Sequence, residues 1–221
     1  MGLRELKKEQ TRELIAESAW RLFADRGFDR VTVAEVAREA RVAEATVYNY
    51  FRTKEDIFYG PLEAFGTRLA EAVAGRAEGE SVVAAFRRAL LAEGGLLAQA
   101  EAGDAEALER LRTVNQLITA SPALVAREQV ALNHAAEVLA DVLAGEVSGP
   151  GGDLGARVVA QALIGVHRAL LEYVRSRVLD SDLSGLGDDV RELAAGAFGL
   201  LEDGLQGYGV RVGARLRDGA G

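Results

Sequence analysis

Between Glu44 and Tyr50 the chain reads Glu-Ala-Thr-Val-Tyr-Asn-Tyr, and several of these side chains carry the chemistry of a base edge. Asn49 can pair with adenine, Glu44 can accept from the N4 amino group of cytosine, and the methyl groups of Ala45 or Thr46 suit the methyl of thymine. Val47 and Phe51 are apolar and four residues apart, so a short helix here turns them inward. That leaves Glu44, Ala45, Thr46, Tyr48, Asn49 and Tyr50 on its outer and flanking faces. Tyr48 has a second reading as a packing residue.

Such a helix needs a partner to hold it, and the preceding residues supply one. Thr32 followed by Glu35 is a capping box that starts a helix at Val33, with Val33, Val36, Ala37 and Ala40 on one face. A break follows at Arg41-Val42-Ala43. Two helices of about two turns with so short a break predict a helix-turn-helix, whose second helix enters the major groove of DNA.

Gly27-Phe28, Thr32-Val33-x-x-Val36-Ala37, Val42, Thr46-Val47-Tyr48-x-Tyr50-Phe51 and Lys54-Glu55-x-Ile57 together resemble the amino-terminal signature of the TetR family of bacterial transcriptional regulators. The resemblance covers roughly residues 10 to 60 without a gap; beyond residue 60 only length and helical character match. It implies an all-α fold of about nine helices. An N-terminal three-helix DNA-binding domain (1–53) would be followed by a helical ligand-binding and dimerisation domain (54–221). Carried over position by position, it implies that Thr46, Tyr48, Asn49 and Tyr50 face DNA, while Thr32 and Lys54 hold phosphates. It also implies a homodimer on a near-palindromic double-stranded operator, repression as the default output, and release by a small, largely apolar effector. Two positions depart from the family: Arg41 stands where the turn usually has glycine, and Ala43 where the recognition helix usually has a serine or threonine cap. They are the only hints of the alternative, a helical protein-interaction adaptor that has lost DNA binding.

Composition agrees with a helical chain. The 221 residues are 49% hydrophobic with three prolines, and Ala, Leu, Glu and Arg are frequent. No cysteine is present, which excludes disulfides and thiolate metal sites and fits a reducing cytoplasm. No apolar run approaches 18 residues and the amino terminus is charged, so a cytoplasmic protein without a membrane segment is expected. The net charge of −8 divides unevenly: residues 1–54 sum to +2 and hold all three lysines, while the rest sum to −10. Attraction to phosphate is therefore local to the first part.

Apolar spacing over Lys7 to Arg26 (Leu14, Ile15, Ala19, Leu22, Phe23) predicts a first helix ended by a left-handed Gly27, with Phe28 packing back; Lys7 and Lys8 read as a solvated terminus or, alternatively, as an arm that touches phosphate. Trp20 falls off that stripe and is read as packing against the long helix that follows. Thr53 with Asp56 caps that helix, expected over 54–77 and bent or restarted at Pro61. Further helices are predicted over about 80–99, 104–119, 122–145, 154–179 and 187–207, with Ser121-Pro122 as a cap and first-turn proline. The runs 145–152 and 180–187 read as breaks, and residues after Gly207 as a fraying tail.

The last two helices are apolar on more than one face, and Gly196, Gly199 and Gly204 lie inside the final one as expected over 187–207. Leu163, Val166, Leu170, Val174, Leu193, Ala197, Phe198 and Leu201 are the expected contacts with a second copy, as a four-helix bundle. Polar residues at or near the apolar stripes make ligand candidates of Asn115, Gln116, Arg127, His134, His167 and Arg168, although each also reads as a hydrogen-bonded core or boundary residue. Arg127 with Glu128 reads as solvated. No enzyme constellation emerges and no cofactor is expected. His134 and Glu137 supply at most two metal ligands, and neither a phosphate loop nor a nucleophile-base pair is visible.

Overall fold

Helices begin where the short-range signals place them. At Thr32 and at Thr53 both halves of the capping box form, the hydroxyl accepting from the N–H three residues on and the carboxylate of Glu35 or Asp56 accepting in return. The structure, a computed structural model, describes residues 2–92, 105–146, 152–180 and 185–204. These form nine helices and, among the described residues, no strand: α1 Leu3–Arg26, α2 Val33–Glu39, α3 Glu44–Tyr50, α4 Lys54–Ala74, α5 Val82–Leu91, α6 Ala105–Ala120, α7 Pro122–Ala144, α8 Gly152–Leu179 and α9 Leu186–Glu202.

Several expectations shift. The first helix begins at Leu3, so Lys7 and Lys8 lie within it, exposed, and Leu14 points to solvent instead of the core. Gly27 does end the helix, its N–H donating to the Phe23 carbonyl, but it pairs a φ of 81° with a ψ of 151° and so is not left-handed helical. Helix α4 runs through Pro61 as one element. Ser121 stands at the start of α7 but does not cap it: its hydroxyl donates instead to Asp29, 2.7 Å away in the link between α1 and α2. The parts of the expected helix, loop and tail readings that fall on 93–104, 147–151, 181–184 and 205–221 lie outside the described residues.

Two apolar clusters organise the packing. One gathers Ile15, Ala19, Phe23 and Phe28 with Val36, Val47, Phe51, Ile57 and Tyr59, and extends to Leu117, Ile118 and Leu124 where α6 meets α7. The other joins Leu69 and Val73 of α4 to the faces of α5, α7, α8 and α9. Helix α4 therefore has one half in each cluster. Its crossing over α7 is close: a Cβ at Gly66 would sit 3.2 Å from that of Ala135, and glycine leaves room for the approach.

Candidate DNA-reading head and a cavity in the helical body

The turn between α2 and α3 closes despite its unusual residues. Arg41 adopts a φ of 56°, the sole positive value for a non-glycine among the described residues. Around it the N–H of Arg41 donates to Arg38 and that of Val42 to Ala37, at 3.2 and 2.9 Å, the two bonds of a Schellman ending. The left-handed conformation costs arginine about 1 kcal/mol relative to glycine. Ala43 precedes α3 in an extended conformation and contributes no side-chain cap.

From this turn α3 presents its faces as the spacing predicts. Val47 is fully buried and Phe51 nearly so, while Glu44, Ala45 and Asn49 are exposed and Thr46 and Tyr50 half-buried. Tyr48 is 51% exposed, so its ring is not a core residue of this chain. Thr32 is exposed at the start of α2, with its N–H and hydroxyl both donating to Glu35 at 2.9 Å. Those bonds, with Arg26 alongside, hold the Glu35 carboxyl below its ordinary range.

Lys54 differs from its expected role. Its ammonium donates to the carbonyls of Phe28 and Val31 at 2.9 and 3.0 Å and stands 4.2 Å from the centre of the Phe28 ring. It is thus turned into the protein, fastening the α1–α2 link to the start of α4. The sequence motif identified the residue but not the direction of its side chain.

Behind the head lies a cavity of about 670 Å³ walled by α1, α4, α6, α7 and α8. Trp20, Phe23, Phe58, Tyr59 and Phe65 give it an aromatic lining, and Leu111, Val114, Ile118, Leu132, Val138 and Leu171 an aliphatic one. Its inner polar groups are Asn115, Glu128, His167 and Arg175. Arg175 donates from Nη2 to Glu128 at 2.6 Å and from Nε to the Asn115 side-chain oxygen at 3.1 Å, and Asn115 donates in turn to the Leu111 carbonyl at 2.8 Å. His167 stands edge-on to Phe65; burial pushes its pKa down to about 4, and its Nδ1 has no hydrogen-bond partner. The Tyr59 hydroxyl donates to the Leu124 carbonyl, and burial raises its pKa well above the ordinary phenol value.

Of the residues singled out as ligand candidates, Asn115, His134 and His167 line this cavity, His134 from an exposed position. Gln116 and Arg168 do not: Gln116 faces solvent, and Arg168 is half-buried elsewhere on α8. Arg127 also points away, its Nε donating to Asp56 at 3.0 Å and tying α7 to the capped start of α4. Glu128, read as solvated, is instead 9% exposed and paired. The clue lay in its spacing, four residues after Leu124 and four before Leu132; likewise Arg175 follows His167 by two turns of α8. Trp20 lines the cavity, and the Arg110 guanidinium of α6 lies 4.8 Å from its ring. His134 and Glu137 approach to 3.9 Å as an exposed pair, and the described residues hold no group of three metal-ligating side chains.

The expected contacts with a second copy need correction. Leu163, Leu170, Val174 and Phe198 are at most 4% exposed in a single chain, because they pack α7, α8 and α9 onto one another. Val166, Ala197 and Leu201 are half-buried and Leu193 is exposed. The outward apolar face of α8 and α9 is carried by others, chiefly Leu154 (69% exposed), Val158 (60%) and Leu200 (43%). By length and composition alone α8 is apolar enough to cross a membrane, and a third of its most apolar stretch is buried within the fold.

Comparison with known proteins completes the description. Residues 15–59 match the family model for bacterial regulatory proteins of the tetR family, and residues 80–206 match the model for the MftR C-terminal domain. The HTH-type transcriptional regulator TcmR of Streptomyces glaucescens is 30% identical over 91 residues, covering 41% of this chain and 40% of TcmR. HbdR of Aromatoleum sp. (strain CIB), also an HTH-type transcriptional regulator, is 37% identical over 51 residues, 23% of this chain and 22% of HbdR. The matches thus span less than half the length of these curated relatives. SmeT, the repressor of the Stenotrophomonas maltophilia multidrug efflux pump SmeDEF, superposes with a TM-score of 0.53 at 17% identity, over 85% of this chain and 88% of its own. NalD, the secondary repressor of the MexAB-OprM pump in Pseudomonas aeruginosa, superposes at 0.52 with 20% identity, over 87% and 96%. At such identities the likeness is one of fold. The second family model alone covers more than half the sequence, the first covers the helix-turn-helix, and on these grounds the chain belongs to the TetR family of bacterial transcriptional regulators.

Proposed function

We propose that the chain acts as a homodimeric repressor that holds a near-palindromic operator and releases it when a small, largely apolar molecule enters the helical body. One observation carries the reading: the cavity shares its walls with the head. Helix α1 and the first half of α4 line it with Trp20, Phe23, Phe58 and Tyr59, and these same helices hold α2 and α3 in place. A molecule that displaces those side chains acts on the helices that aim Asn49. Triclosan bound to SmeT is an instance of a small molecule held by a protein of this fold.

Within this reading Asn49, Thr46, Tyr48 and Glu44 face the bases, with Ala45 and Tyr50 beside them, and Thr32 faces a phosphate. The dimer is supported by the exposed Leu154, Val158, Leu193 and Leu200 on α8 and α9, an apolar face that solvent alone would cover poorly. Two such heads would meet successive major grooves, about 34–36 Å apart. The Schellman bonds around Arg41 favour this reading over an adaptor, since the turn is closed without its glycine.

The test is a mobility-shift assay with the DNA upstream of the chain's own gene, set against random competitor. A specific shift is expected, and Asn49→Ala should relax preference at particular base pairs while retaining nonspecific affinity. Binding no tighter than to competitor would end the proposal. Light scattering tests the dimer, which a stable monomer at micromolar concentration would rule out.

A further inference from the structure

Turning Lys54 inward takes one cation away from the head, and affinity for DNA rests largely on lysines and arginines that neutralise phosphates. The other basic residues from Arg26 to Arg52 are unequally placed to replace it. Arg26 is engaged by Asp25 and Glu35 at 3.4 and 3.3 Å, and Arg38 stands in the field that holds the Glu35 carboxyl low. The guanidinium of Arg30 lies against Gly27 in the link between α1 and α2, and Arg52 follows the far end of α3. Arg41 stands three residues before Glu44, the first residue of α3, and so beside the end of a recognition helix that meets base edges.

Arg41 is exposed, and among the described residues its guanidinium makes no hydrogen bond or ion pair. Exposed Glu39 and Glu44 flank it in sequence without pairing with it. Its backbone is nevertheless fixed, by the two Schellman bonds around it and by Ala40 and Val42, one buried and the other half-buried. The charge therefore leaves the head from a held point and not from a loose loop. That point has a φ of 56°, a conformation glycine adopts at less cost, and a residue kept in such strain by its surroundings points to a use for its side chain. A major groove is about 12 Å wide, so a group at its centre is about 6 Å from either phosphate wall, within the reach of an arginine.

We propose that Arg41 holds a DNA phosphate beside the reading end of α3, a contact that the glycine usual at this position cannot make. The inference rests on the reading of the chain as a DNA-binding regulator and adds to it a grip at the turn. Salt titration of DNA affinity tests it on the full-length protein, with a labelled random-sequence duplex and with the DNA upstream of the chain's own gene. Arg41→Gln and Arg41→Lys both keep a side chain in the strained turn, the first without the charge and the second with it. Arg41→Gly removes charge and strain together.

Losing one phosphate contact lowers the slope of log K against log salt by about 0.9 for each head engaged, and weakens binding about eightfold per head at about 0.1 M salt. Arg41→Gln and Arg41→Gly should show that loss on both duplexes, and Arg41→Lys should keep the slope. Arg41→Gly should at the same time raise the denaturation midpoint, so that stability and DNA affinity move in opposite directions, which an arginine serving only the turn would not produce. An unchanged slope in Arg41→Gly, a variant that relieves the turn and does not strain it, overturns the inference and leaves the DNA-binding reading in place. An equal fall in Arg41→Lys overturns it as well, because the charge is then not the cause. A loss confined to the upstream DNA means base reading and overturns the assignment to phosphate. If the unaltered chain binds neither duplex at low salt, the DNA-binding reading itself fails, and the inference with it.

Discussion

Replacing Lys54 by methionine separates two roles that the family motif leaves together. The side chain keeps its length and apolar stem and loses the ammonium that donates to the carbonyls of Phe28 and Val31 and faces the Phe28 ring. Hydrogen bonds to a charged group contribute about 1.5–3 kcal/mol, and a cation over an aromatic face adds about 0.5–1 kcal/mol. The carbonyls regain some of this by hydration once the link loosens, since Asp29 and Arg30 between them are exposed. A net loss of about 2 kcal/mol in unfolding free energy is therefore expected, read by chemical denaturation. In the folded variant the salt dependence of DNA affinity should stay unchanged, because each phosphate contact adds about 0.9 to the slope of log K against log salt and this ammonium is turned inward. Unaltered stability together with a slope lower by about one would refute the argument. It would mean that on DNA the lysine leaves its carbonyls for a phosphate.

Other perturbations address the turn, the cavity pair and the histidine. Arg41→Gly should raise stability by about 1 kcal/mol, and Ala43→Ser by a similar amount through a new cap, both visible in the denaturation midpoint. Arg175→Met should cost about 3–5 kcal/mol because Glu128 is left buried and unpaired, and the double variant with Glu128→Gln should recover most of it; an additive double variant would contradict the pairing. His167 has a folded-state pKa depressed to about 4 against an ordinary value near 6.5, so the unfolded chain binds its proton first as pH falls. Its contribution is whole above pH ~6.5 and is lost between there and pH ~4, about 3 kcal/mol in total. Unfolding free energies over that window should converge on those of His167→Gln as the medium becomes acidic, and parallel curves would show that the imidazole is not excluded from charging.

Much of this protein follows from interactions that reach no further than a helical turn. Thr32 with Glu35 and Thr53 with Asp56 start helices because the bonded groups lie three residues apart, and Val47 and Phe51 face inward because a helix repeats every 3.6 residues. The same short range makes the helix-turn-helix legible, down to the strained Arg41 and the uncapped Ala43. What the tertiary structure alone decided is which polar groups meet across the fold. Lys54 finds carbonyls 23 and 26 residues away, Arg175 finds Glu128 and Asn115 at 47 and 60, and Ser121 finds Asp29 at 92. Leu163 and Phe198 were recognisable as apolar, but one apolar stripe does not say whether it faces its own chain or a second copy. The physical reason is that apolar attraction is nondirectional and a side-chain ion pair carries no sequence spacing. Both acquire a partner only when α4, α7 and α8 are packed together, and the cavity and its cancelled charges arise at that step.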